Sequence, residues 1–182
     1  MRTKSLKQAY LDVVLPSSAT KVVKEYRAKY AGLDTILVAN PTVLNLAHAD
    51  FCQYLSDSEE GRDSRYTSEE ILRVLVVQFV EQDAYRDVVV RIKNSDFLRS
   101  FIGLGFAKSM MDFSFVSKAF SALSPETWAA MNAALGRYAR ATKKISGERL
   151  RVDTTVYETN IHYPTDSSLL WDSFRVLART LQ

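Results

Sequence analysis

After Gly147 the spacing of apolar residues changes period, and that change limits the folds open to the chain. Upstream, apolar positions recur at intervals of three and four. Downstream, Leu150, Val152 and Val156 alternate with Arg151, Asp153, Thr155 and Tyr157. A repeat near 3.6 residues lines one face of a helix, and a repeat of two lines one face of a strand. The expectation is a mainly α chain: helices up to about residue 146, then one strand over 149–157. A final helix follows, with Leu170, Phe174, Leu177 and Leu181 as its buried stripe.

Capping residues divide the helical part. Pro16 to Thr20 precedes a helix expected to run through Lys29 and stop at Gly32. Asn40-Pro41 combines an N-cap with proline at the first helical position. The helix it starts carries Val43, Leu44, Ala47, Phe51 and Leu55. The polar run from Asp57 to Arg65 reads as a surface loop or linker. Thr67-Ser-Glu-Glu70 is a capping box, with Ile71, Leu72, Leu75, Val76, Phe79 and Val80 at helical spacing behind it. A helix over 85–92 and a short one through Phe101 follow, broken by Gly103 and Gly105. Asp112 caps a helix presenting Phe113, Val116, Phe120 and Leu123. Ser124-Pro125 starts another, with Trp128, Met131, Leu135 and Tyr138 inward.

Composition closes off several classes. The apolar fraction is 47% and the charged fraction 25%, with 6 Gly and 4 Pro, which suits a helix-rich globular chain. No apolar run approaches the roughly 18 residues that would span a bilayer, and the basic N-terminus lacks the apolar stretch of a secretory signal. Cys52, the single cysteine, excludes an internal disulfide or thiolate cluster and reads as a small core residue in a cytoplasmic protein. His48 and His162 stand in unrelated contexts. The formal net charge of +3 is unevenly spread. Arg137, Arg140, Lys143, Lys144, Arg149 and Arg151 face only Glu148, whereas residues 57–70 are acidic. Basic clusters suit polyanions, although such a run is as often a solvated helix face.

Asp153 is the carboxylate that the strand offers from its polar face. The run Asp153-Thr-Thr-Val, with Glu158-Thr-Asn-Ile-His-Tyr-Pro-Thr-Asp-Ser-Ser-Leu-Leu170 after it, resembles the first acidic motif of insertion-sequence transposases of the DDE type. The resemblance extends upstream to about Tyr66. It implies DNA transposition by two-metal phosphoryl transfer, with two Mg2+ ions held by three carboxylates. Asp153 would be the first of these, both catalytic residue and metal ligand, on the first strand of a ribonuclease-H-like domain. The family's second aspartate and its glutamate belong to later elements. Glu158, Asp166 and Asp172 are expected to be a turn or supporting group, a cap and a surface charge. The expectation is therefore a truncated ribonuclease-H-like α/β domain over 147–182, inactive in DNA cleavage by itself. It follows a helical segment with an acidic linker (1–66) and a helical DNA-binding region (67–146).

For that DNA-binding region the resemblance points to Met111-Asp-Phe-Ser-Phe-Val-Ser-Lys118, and Met111 stands where related sequences tend to have proline. Helices over 112–123 and 124–144 would form a helix-turn-helix-like pair. Ser114, Ser117 and Lys118 are the exposed candidates, and Arg137, Arg140, Lys143 and Lys144 the phosphate contacts. Ordinary packing is the weightier reading of Phe113, Phe120 and Trp128. The implied partner is terminal-repeat DNA, with homo-oligomers or mixed oligomers with the full-length enzyme. Two alternatives stand beside it: a non-catalytic module that binds the repeats as an inhibitor, or the poorly folding product of a decayed gene.

Overall fold

The computed structural model describes residues 2–5, 20–55, 65–105 and 108–142. These residues form seven helices: α1 (Lys21–Ala39), α2 (Pro41–Tyr54), α3 (Ser68–Glu81), α4 (Tyr85–Lys93), α5 (Asp96–Ile102), α6 (Phe113–Ala122) and α7 (Pro125–Ala141). The region is mainly helical. The strand over 149–157 and helix after it lie outside the described residues, as do Asp153, Lys143 and Lys144.

Helix α1 does not stop at Gly32. Tyr26, Tyr30, Leu33 and Leu37 continue one apolar stripe past it, and Tyr30 is fully buried with Tyr26 and Leu33 packed on the core. Glycine inside a helix costs about 1 kcal/mol relative to alanine, less than the burial on either side returns. The helix ends instead at Asn40, whose Nδ2 donates to the Ile36 carbonyl at 2.7 Å. Pro41 then opens α2 at its first position. Val43, Ala47 and Phe51 point inward at four-residue spacing. That register turns Cys52 outward, so the thiol is exposed and not a core residue.

Helix α3 packs against α2, α4, α5 and α6, which explains why burial extends round much of it. Ile71, Leu72, Val74, Leu75 and Val77 are all enclosed. Phe79 departs from the expected inward stripe: it is 55% exposed and leans on the rings of Phe120 and Trp128. The start of α3 is closed completely. Thr67 Oγ1 accepts from the Glu70 backbone N–H at 3.1 Å, and Glu70 Oε2 accepts from the Thr67 backbone N–H at 2.8 Å. The Ser68 and Glu69 backbone N–H groups donate to the carbonyls of Thr3 and Lys4. Arg2 is buried and donates to the carbonyls of Leu55 and Tyr66. A helix start normally leaves several N–H groups unpaired and open to an anion; here the N-terminal residues occupy them.

Shorter helices follow the expected punctuation. Ser95 Oγ caps α5, and Gly103 ends it with φ 88, a left-handed conformation that glycine adopts without strain. Leu104, Met110 and Met111 return to the core, and Arg99 donates to the carbonyls of Gly105 and Lys108. In α7 only Met131 of the four expected inward residues is fully buried. Trp128, Leu135 and Tyr138 are half-buried because α7 packs mainly on α2, along one side.

Candidate nucleic-acid interface

Two residues, Leu123 and Ser124, join α6 to α7. Asp112 Oδ1 accepts from the Ser114 backbone N–H at 2.9 Å, which starts α6. Ser124 Oγ accepts from the Thr127 backbone N–H at 3.2 Å, which starts α7. The Ser124 backbone N–H also donates to Asp50 Oδ2 at 2.8 Å. Asp50 is buried on α2, so the junction is fastened to the core rather than left to swing.

This anchoring fixes which face of α6 meets solvent. Val116, Ala119 and Ala122 are buried. On the opposite side Ser114, Lys118 and Ser121 are exposed and Ser117 half-buried. Their spacing of three and four places all four on one stripe. Ser117, Lys118 and Ser121 also line a shallow groove whose far wall is Tyr54 and Leu55 at the end of α2. The structure thus brings together three of the sequence candidates and adds Ser121, which the same spacing would have found.

Arg137 and Arg140 are exposed on one face of α7. They lie about 20 Å along the helix from Ser124, at 1.5 Å per residue. Lys143 and Lys144 lie outside the described residues. Phe113, expected inward, is 39% exposed at the first position of α6, with the Arg86 guanidinium 4.6 Å above its ring.

Among the described residues some cations are held in ion pairs and others are not. Arg73 binds Asp34 at 2.7 Å, Glu69 at 3.1 Å and the Phe101 carbonyl at 2.9 Å. Lys108 binds both oxygens of Glu70 at 2.7 Å. Arg91 binds Asp83 through two nitrogens, at 2.5 and 2.9 Å. Lys29 meets Glu81 at 3.4 Å. Among the described residues, Arg86, Lys93, Lys118, Arg137 and Arg140 form no ion pair. A paired cation has its field cancelled nearby, while an unpaired exposed one remains available to an anion. Asp112 lies close enough to Lys93 and Arg86 to feel their charge. The Ser114 backbone N–H, then the Ser114 side chain, and at longer range Lys93 and Arg86 hold its carboxyl below the usual carboxylate range. It therefore stays ionised at neutral pH.

Sequence reasoning missed Arg86 and Lys93, whose spacing of seven on α4 was a readable signal. It also missed Asp50, an acid set among the inward residues Ala47 and Phe51. Among the described residues no three His, Cys, Asp or Glu side chains gather as metal ligands, and none of the helices is long and apolar enough to cross a membrane. Compared with protein-family models, curated proteins and solved structures, the chain matches none.

Proposed function

We propose that this chain belongs to an insertion-sequence transposase of the DDE type and that its helical region binds DNA. The observation that carries the reading is the exposed Ser114-Ser117-Lys118-Ser121 stripe on α6, beside a two-residue junction fastened to the core. Small hydroxylated residues let a helix approach a sugar–phosphate backbone closely and donate to its oxygens, and lysine adds charge. Arg137 and Arg140 are the further phosphate contacts, with Lys143 and Lys144 continuing the same basic run. Asp153 is proposed as the first Mg2+ ligand of the phosphoryl-transfer site, on the motif resemblance alone. The partner is duplex DNA, terminal repeats above all.

The test is salt-dependent binding of a short mixed-sequence duplex to the full chain, followed by fluorescence anisotropy. Each phosphate neutralised contributes about −0.9 to the slope of log affinity against log salt. The triple variant K118A/R137A/R140A is expected to flatten that slope by about 0.9 for each cation removed. Absence of duplex binding at low salt, or an unchanged slope in the triple variant, overturns the reading.

A further inference from the structure

Helix α4 packs directly on α6 and presents Arg86, Val90 and Lys93 to solvent at intervals of four and three. These positions share one face. Val90, between the two cations, is 56% exposed. The Arg86 guanidinium carbon lies 4.6 Å from the ring centre of Phe113, the first residue of α6, so a side chain of α4 rests on the start of the helix assigned to DNA.

We propose that α4 is a second DNA-contacting element, with Arg86 and Lys93 binding phosphates of the same duplex that α6 engages. This rests on the DNA-binding reading above and extends it to residues outside the helix pair. A guanidinium resting on an aromatic ring can still offer its N–H groups to a phosphate. Lys93 supplies a second charge seven residues away, about 10 Å along the helix. With Lys118 on α6, three cations without ion-pair partners among the described residues occupy two adjoining helices. Three acids lie near them, Asp87 on α4, Asp96 three residues after Lys93 at the start of α5, and Asp112 at the start of α6. None of these acids pairs with the three cations, which leaves the cations open to a polyanion. Asp112 opposes the anion at short range and limits affinity.

The experiment uses the full chain and the same short duplex, with thermal melting as a control for folding. R86A/K93A is expected to flatten the salt slope by about 1.8, twice the value for one phosphate. Affinity should weaken roughly tenfold or more at moderate salt, with the melting temperature little changed. R86K keeps the charge and loses the fork, so the slope should stay near that of the parent chain while affinity falls in part. D112N keeps a competent cap and removes the opposing charge, so binding should tighten several-fold. If R86A/K93A leaves the slope unchanged while K118A/R137A/R140A flattens it, α4 is not a contact and the DNA-binding reading stands. If R86K, which keeps the charge, flattens the slope by about 0.9, Arg86 acts by holding α6 and the proposal fails. If the parent chain binds no duplex at low salt, both readings fall together.

Discussion

The charges between α1, α3, α4 and the loop before α6 differ from those on the outer face of α4 and α6 in where they terminate. In the first region Arg73, Lys108, Arg91 and Lys29 each end on a carboxylate of another segment. In the second, Arg86, Lys93 and Lys118 end in solvent or on an aromatic ring. The residue types are alike, so composition alone could not separate them. Burial of one partner separates them: Glu70 is 5% exposed at the side chain, Glu81 and Asp83 are 11% exposed, and in the Arg73–Asp34 pair it is the arginine that is enclosed, at 11% against 48% for Asp34. The first group therefore holds helices together, and the second is free to meet something else.

Breaking the most deeply buried pair tests that division hardest. Glu70 serves twice, as acceptor for the Thr67 backbone N–H and as partner of Lys108. E70A leaves a buried N–H without its acceptor and a partly buried ammonium without its counter-charge. Removing one partner of a buried pair costs about 3–5 kcal/mol. The midpoint of urea unfolding should fall accordingly, with the slope unchanged. A loss below about 1 kcal/mol would put this pair with ordinary screened surface pairs and erase the distinction drawn here.

Half of that arrangement was legible in the sequence. Thr67 and Glu70 are three residues apart, and a capping box is complete within one helical turn. Lys108 lies 38 residues from Glu70 and reaches it only because α5 and its glycine exit fold back. The strand of backbone at Thr3 and Lys4 that closes the start of α3 had no local signature at all. Helix punctuation was likewise readable wherever one cap decides it, as at Asn40-Pro41, Ser95, Asp112 and Ser124. It failed where packing decides. Gly32 reads as a stop by itself, yet Tyr30 and Leu33 are drawn into the core on both sides of it. For the candidate interface, the Ser114, Ser117 and Lys118 stripe followed from period alone. The role of Arg86 depended on knowing that α4 lies against α6.

Gly32 offers the next test, because α1 is held by the paired region rather than by its own propensity. The residue faces solvent, and a Cβ built there meets nothing within 4 Å. G32A should therefore stabilise the chain by about 0.5–1 kcal/mol, through lower backbone entropy in the unfolded state. The readout is the urea midpoint. Destabilisation would mean that α1 bends or ends at Gly32, and the Tyr30 and Asp34 contacts to α3 and α5 would need to be redrawn.

The smallest effect expected concerns Asp83 and Arg91, which lie at the edge of the paired region. The Arg91 guanidinium hydrogen-bonded to Asp83 holds that carboxyl below the usual carboxylate range. In the unfolded chain the same carboxyl titrates at its ordinary value, near pH 4. Between the two values the unfolded state binds more protons, so stability rises with pH across that window. The pair therefore contributes fully above about pH 4 and loses its contribution as pH falls through the folded value. Arg91 is 44% exposed, and solvent screening keeps the contribution below about 1 kcal/mol. D83N should accordingly be slightly less stable than the parent chain at pH 7 and indistinguishable from it once the pH has fallen below the folded value. A gap that persists in acid would show that Asp83 acts through packing rather than charge, and would remove this pair from the region where charges end on one another.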